Sequence, residues 1–141
     1  MGAVVQPAEI KQLLSACELP TADVSLSKTL LFYGCHSEGK LAAVVGLEVH
    51  GPVALLRSLA VAPSHRNQGL GKLLVTFAEA QAASLGVESL YLLTTTAKAF
   101  FSKLGYSPAS REDAPLSIKA TMQFSSLCPA SSAFMRKHLL S

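Results

Sequence analysis

"LAVAPSHRNQGLGKLLV" (Leu59–Val75) is the stretch that decides the reading of this chain. It begins in an apolar run, is cut by Pro63, passes through a cationic segment with paired glycines, and ends in a helical pattern. Glycines let a backbone approach a ligand closely, and the N–H groups at a helix N-terminus favour an anion. Arg66 and Lys72 flank the pair, so a bare diphosphate cradle is one reading. A tight strand-to-helix turn with its cations in solvent is the other. A Walker loop is disfavoured, because Leu73 follows Lys72 and Arg66 stands where the first glycine belongs. A dinucleotide fingerprint is disfavoured as well, because its third glycine falls on Leu74.

Working outward, "VALLRSLAV" (Val53–Val61) and "LAAVVGLEV" (Leu41–Val49) read as strands made antiparallel by the reversal at His50-Gly51-Pro52. "TLLFYGC" (Thr29–Cys35) is a further strand and "HSEGK" a turn. Ile10, Leu13, Leu14 and Cys17 predict a short helix from about Ala8 to Cys17. Beyond the glycines, Leu70, Leu73, Leu74, Phe77 and Ala78 share a helical face that Gly86 terminates. "VESLYLLT" is a strand running into Thr94–Thr96. "TAKAFFSKLG" predicts a helix with Thr96 as N-cap, Ala97, Phe100, Phe101 and Leu104 inward, and Gly105 just past its end. This part is therefore a β-α-β-α arrangement. Past Tyr106 the pattern weakens to a helical turn in "EDAPLSIKAT" and a last strand in "SSAFMRKHL". Without repeats, low-complexity tracts or a linker, residues 1–141 read as a single domain.

Composition narrows the function classes. Half of the residues are hydrophobic, 15% are charged and mean hydropathy is +0.37, which excludes disorder. Every apolar run is too short to suggest a membrane span. "MGAVVQPAEIKQ" does not read as a signal peptide, and Gln6 stands where a myristoylation pattern wants Ser or Thr. A net charge of +3 is too small to argue for nucleic acid but suits a polyanionic ligand. The three cysteines, Cys17, Cys35 and Cys128, are scattered and form no CxxC, which supports neither a disulfide framework nor a zinc site. A cytoplasmic protein with reduced thiols is expected.

"LAVAPSHRNQGLGKLLV" resembles motif A of the GCN5-related N-acetyltransferase superfamily (GNAT): a strand of the form L-x-V-x-P, then Arg or Gln, two residues, Gly, one residue, and Gly or Ala. Leu59, Val61 and Pro63 fit the strand, and Arg66, Gly69 and Gly71 fit the loop in register. "AKAFFSKLGY" (Ala97–Tyr106) resembles motif B, commonly A-x-x-F-Y-x-x-x-G-F, in the right order and at the right distance. "LRSLAVAP", "LYLLTTTAKAFFSKLGY" and the tail "IKATMQFSSLCPASSAFM" together resemble a small acetyltransferase family associated with arsenic-resistance operons.

The resemblance implies a mixed α/β fold with a mostly antiparallel, splayed central sheet flanked by helices, and acetyl-CoA lying in the splay. Backbone groups of Leu59 and Val61 would pair with the pantetheine arm. The segment Arg66, Asn67, Gln68, Gly69, Leu70, Gly71 and Lys72 would hold the diphosphate, mostly through main-chain N–H groups. A strand N–H near Leu59 or Ala60 would polarise the acetyl carbonyl during direct transfer to an amine. The motif-B tyrosine, a frequent general acid, falls on Phe101 beside the cofactor, and the frequent glutamate base falls on Leu55. The reaction needs a neutral amine, so another group must take its proton.

Glu48 is the candidate base if its face opens into the splay; otherwise it is a solvent-facing strand residue. Arg57 is a lone guanidinium in an apolar strand and is costly to bury without an anion. That anion is either a carboxylate on the substrate, gripped bidentately, or an acid of the chain such as Glu48. Thr94, Thr95 and Ser126 are candidate substrate hydrogen-bonders, with turn and capping roles as the alternative. The arsenic-family resemblance suggests an amino acid or organoarsenical amino-acid analogue as acceptor, with no metal, nucleic acid or membrane partner. Dimers are frequent in the superfamily, and nothing in the sequence demands one. A peptide amine acetyltransferase and a non-catalytic acetyl-CoA-binding sensor are the competing functions.

Overall fold

The computed structural model describes residues 2–3, 6–17, 19, 30–66, 68–94, 97–121 and 132–139. Strand β1 (Gly2–Ala3) precedes helix α1 (Pro7–Ala16), which starts one residue earlier than expected because proline suits the first helical turn. Strands β2 (Leu30–Ser37), β3 (Lys40–His50) and β4 (Val53–Val61) come next as antiparallel neighbours. A 3-10 turn at Pro63–His65 leads to α2 (Leu70–Ser84). Then come β5 (Ser89–Thr94), α3 (Lys98–Lys103), β6 (Ser107–Pro108), a 3-10 turn at Arg111–Asp113, α4 (Leu116–Lys119) and β7 (Ala133–His138). The sheet has seven strands in the order β1-β2-β3-β4-β5-β7-β6, all pairs antiparallel except β4–β5.

Both faces of the sheet are covered, which is why β3 and β4 read as continuous apolar runs rather than alternating ones. Leu74, Val75, Ala78 and Ala82 of α2 pack on Val45, Leu47, Ala54 and Leu56 of one face. On the other face Ile10, Leu13 and Leu14 of α1 cover Leu30, Phe32, Val44 and Ala60. Ile118 of α4 covers Leu55, Tyr91 and Phe134 further along that same face.

Two irregularities shape the functional end of the sheet. In the β3–β4 ladder Val44 pairs with Ala60 and Gly46 with Arg57, so Ser58 and Leu59 together oppose Val45. This is a bulge, and Ser58 adopts a left-handed φ of +55° to make it. The extra residue inverts the alternation, so Leu55 and Arg57 lie on the α1 face while Leu59 and Val61 pack with the α2 core. The second irregularity is the parallel seam, where β4 and β5 pair only at Val53–Ser89, Ala54–Leu90 and Leu55–Tyr91. Beyond Leu55 the two strands part, and the sheet splays as expected.

Candidate active site

A cavity of about 540 Å³ lies along the end of β4, against the start of α2 and the start of α3. Leu59, Ala60, Val61, Arg66, Gly69, Leu70, Gly71 and Lys72 line it, as do Cys17, Leu19, His65, Ala97 and Phe100. Gly69 closes the loop with a φ of +76°, a left-handed conformation that costs a glycine nothing. Helix α2 starts at the next residue, and among the described residues no side chain caps it. Leu73 is the first residue whose N–H returns to the Gly69 carbonyl, at 3.1 Å. The N–H groups of Leu70, Gly71 and Lys72 are thus left over at the positive end of the helix dipole, on the cavity wall. A Cβ on Gly71 would stand 3.4 Å from Phe100 Cζ, in ordinary contact, so α2 and α3 come close at this point of the wall.

The cations behave differently from each other. Lys72 is exposed at the cradle. Arg66 folds back, its Nε donating to the Val61 carbonyl at 3.1 Å and its Nη2 lying 3.6 Å from Cys17 Sγ. The Val61 carbonyl, expected to face the pantetheine arm, is therefore engaged by Arg66, and Cys17 Sγ also donates to it at 3.6 Å. Gln68 is exposed beside the cradle, and Asn67 lies outside the described residues.

Helix α3 departs from expectation at its start. Its N-cap is Ala97 rather than Thr96, which lies outside the described residues. Thr94 Oγ1 accepts a hydrogen bond from the Ala97 N–H at 3.0 Å, so this candidate substrate contact holds the turn into α3. Phe101, expected at the cofactor, turns into the α2-side core at 6% exposure, and its neighbour Phe100 takes the place on the cavity wall. Tyr106 does not line the cavity either, and its hydroxyl donates to Glu79 Oε2 at 2.9 Å. Burial, with the Glu79 carboxylate alongside, pushes that hydroxyl far above the ordinary tyrosine range. Lys137 completes the group with bonds of 3.0 and 3.1 Å to Glu79 and 2.8 Å to the Leu104 carbonyl.

On the α1 face, beside the splay, Glu48, His50 and Arg57 come together. Glu48 pairs directly with Leu55 across the β3–β4 ladder. Opposed residues of antiparallel strands project to the same face with Cβ atoms about 5 Å apart. The carboxylate that the resemblance wants at Leu55 is thus present one strand over. Arg57 lies across Gly46, where an added Cβ would meet its Cγ at 3.1 Å. Its guanidinium sits 5.9 Å from the Phe32 ring centroid, its Nη1 is 3.6 Å from Glu48 Oε1, and its Nε donates to Ser58 Oγ at 3.1 Å. The buried arginine thus stands beside Glu48 of the chain itself, one of the two anions expected for it. The other Glu48 oxygen, Oε2, is 2.8 Å from His50 Nε2. Nothing in the sequence singled out His50, one of four scattered histidines. Thr95, Ser126 and Cys128 lie outside the described residues. Among the described residues no group of His, Cys, Asp and Glu side chains could hold a metal, and no helix is long and apolar enough to cross a membrane.

A splayed mixed sheet with a glycine turn at the head of the helix after the splayed strand defines a class of fold, and known proteins share that fold. Residues 28–108 match the acetyltransferase (GNAT) domain family, and this chain belongs to that family. An uncharacterized N-acetyltransferase of Chlorobaculum tepidum is 41% identical over 66 residues, 47% of this chain and 42% of that protein. Among solved structures, N-acetylglutamate synthase from Neisseria gonorrhoeae, complexed with coenzyme A and N-acetyl-glutamate, superposes with a TM-score of 0.76 at 18% identity. That match covers 95% of this chain and 33% of the synthase. An aminoglycoside 6'-N-acetyltransferase complexed with coenzyme A has a TM-score of 0.73 at 17% identity, covering 96% of this chain and 91% of the other. The chain thus spans less than half the length of the first two proteins, and at these identities the solved structures share its fold.

Proposed function

We propose that this protein is an N-acetyltransferase that moves the acetyl group of acetyl-CoA to the primary amine of a small molecule by direct attack in a ternary complex. The observation that carries the reading is the cavity at the free end of β4, walled on one side by that bulged strand and on the other by the start of α2, which no side chain among the described residues caps. Backbone N–H groups of Gln68–Lys72, with Asn67, Lys72 and a released Arg66, bind the diphosphate. Leu59 and Val61 offer strand-like backbone partners to the pantetheine arm. The bulge re-aims the N–H groups at Leu59 and Ala60, which suits one of them to hold the acetyl oxygen. Acetyl-CoA supplies an activated acyl thioester. Glu48 receives the proton of the attacking amine, since it stands where the missing glutamate of β4 would project. Phe101, buried, gives up its cofactor role to Phe100.

The acceptor class is the finer part of the proposal. The arsenic-operon resemblance and the acetylated amino acid held by the synthase neighbour both favour an amino acid or an organoarsenical amino-acid analogue. Thr94, Thr95 and Ser126 remain its candidate contacts, and Arg57 acts on it through Glu48. Calorimetric titration with acetyl-CoA, then thiol release across amino acids, acidic analogues and peptides, tests the whole reading. Binding and release with free amino acids support it. Release with peptides alone makes the protein a peptide acetyltransferase, and binding without release makes it a sensor; either overturns it.

A further inference from the structure

We propose that His50 and Glu48 form the proton exit of the acceptor site, an inference that rests on the acetyltransferase reading and deepens it. The Glu48 carboxylate is divided between two partners, with Oε1 facing Arg57 Nη1 at 3.6 Å and Oε2 facing His50 Nε2 at 2.8 Å. Side-chain exposure rises along this row, from 1% at Arg57 to 15% at Glu48 and 26% at His50. The row therefore runs from the buried middle of the sheet outward to solvent, and the imidazole is its outer member.

A carboxylate that accepts a proton in a covered site must pass it on before the next turnover. An imidazole does this near neutral pH, because one ring nitrogen takes a proton while the other gives one up. The acceptor ammonium first loses one proton to Glu48. With the ring in its Nδ1–H tautomer, Nε2 takes that proton from Oε2, and the imidazolium so formed releases its Nδ1 proton to water. Solvent exchange then restores the starting tautomer, so the amine has lost one proton and the solvent has gained one.

Arg57 contributes by fixing the carboxylate. It is held by the Ser58 hydroxyl and by close packing over Gly46, so it cannot follow Glu48 outward. Among the described residues, Glu48 on β3 is the charged group in contact with His50, and Arg57 on β4 faces the other Glu48 oxygen. His138 of β7, three strands on in the sheet, is held by Ser89 Oγ at 2.8 Å. His50 touches Glu48 rather than substrate, so its role is that of a relay.

The test compares His50→Ala with His50→Gln in acetyl-CoA turnover, with free amino acids as acceptors and thiol release as readout. Glutamine can still donate to the Glu48 carboxylate but cannot carry a proton. Both variants are expected to lose about tenfold to a hundredfold in kcat, at the low end of what positioned proton transfer contributes. KM for acetyl-CoA should stay at the wild-type value. Added imidazole should restore His50→Ala in a concentration-dependent way, and the pH–rate profiles of both variants should differ in shape from that of the wild type. A wild-type rate and profile in His50→Gln would overturn the relay and leave the acetyltransferase reading standing. Loss of rate with an equal loss of acetyl-CoA affinity and no imidazole rescue would also overturn it, by making His50 structural. Absence of turnover in the wild type would instead remove the acetyltransferase reading, and the relay with it.

Discussion

Replacing Gly69 with alanine separates the two tasks this residue performs. Its φ is +76°, and a Cβ added there meets nothing within 4 Å, so the substitution brings no clash. The cost is conformational: roughly 1–2 kcal/mol for an L-residue held in the left-handed region. For a chain of 141 residues each kcal/mol lowers the melting midpoint by about 4 °C, giving a fall of about 4–8 °C. The second effect is on the ligand. If the turn relaxes to relieve the strain, the N–H groups of Leu70–Lys72 swing away from the diphosphate. One charge-assisted hydrogen bond is worth about 1.5–3 kcal/mol, so losing one weakens Kd by about tenfold to a hundredfold. Asparagine tolerates the left-handed region, so Gly69→Asn should recover most of both losses. Thermal unfolding and isothermal titration with acetyl-CoA measure the two effects independently. A Gly69→Ala protein with a lowered midpoint but wild-type affinity would refute the assignment of the diphosphate to the head of α2.

At Gly71 a methyl group would only touch Phe100, at 3.4 Å, so Gly71→Ala should bind acetyl-CoA as the wild type does. Gly71→Val must push its branch into Phe100 or the cavity, and calorimetry should show affinity reduced by about tenfold. Gly46→Ala places a Cβ 3.0 Å from Phe32 Cε1 and 3.3 Å from the Arg57 carbonyl oxygen. It should cost about 1–3 kcal/mol in urea unfolding and depress turnover by displacing Arg57 from Glu48. The raised Tyr106 hydroxyl predicts an alkaline slope. The folded state keeps a proton that the unfolded chain releases near the ordinary tyrosine value of 10.0. Unfolding then releases a proton, and stability is complete below about pH 10 and declines above it. Tyr106→Phe should flatten that slope in denaturant titrations across this range, leaving the smaller part due to Tyr33, whose hydroxyl burial also raises.

Val53–Val61 matches its sequence-predicted bounds because proline at Pro52 and Pro63 brackets an unbroken apolar run. The glycine loop was legible for a similar reason, since strand, proline, glycines and helical periodicity fall in one short span. Strands β1 and β6 were not legible: each contributes only two residues to the sheet, too few for any periodicity. The bulge at Ser58 escaped because serine carries no signature of a positive φ, and only the partner strand reveals the extra residue. Phe100 and Phe101 are adjacent on a six-residue helix, where a spacing rule cannot say which one turns to the core and which to the cavity. Arg57 left two partners open, and only the register across β3 reveals that Glu48 stands beside it. His50 was overlooked because its importance comes from the neighbour it touches, not from its own segment.

The three residue pairs that join β4 to β5 make this sheet a pair of blades fastened at one end, like tongs. On the proposed reading, a coenzyme laid along the free ends would add rungs to the ladder that the protein omits, and ligand and fold would share one hydrogen-bonding lattice. On the proposed reading, saturation a hundredfold above Kd adds about 2.7 kcal/mol to the folded state. The durability of the chain thereby becomes a gauge of how much acetyl-CoA surrounds it.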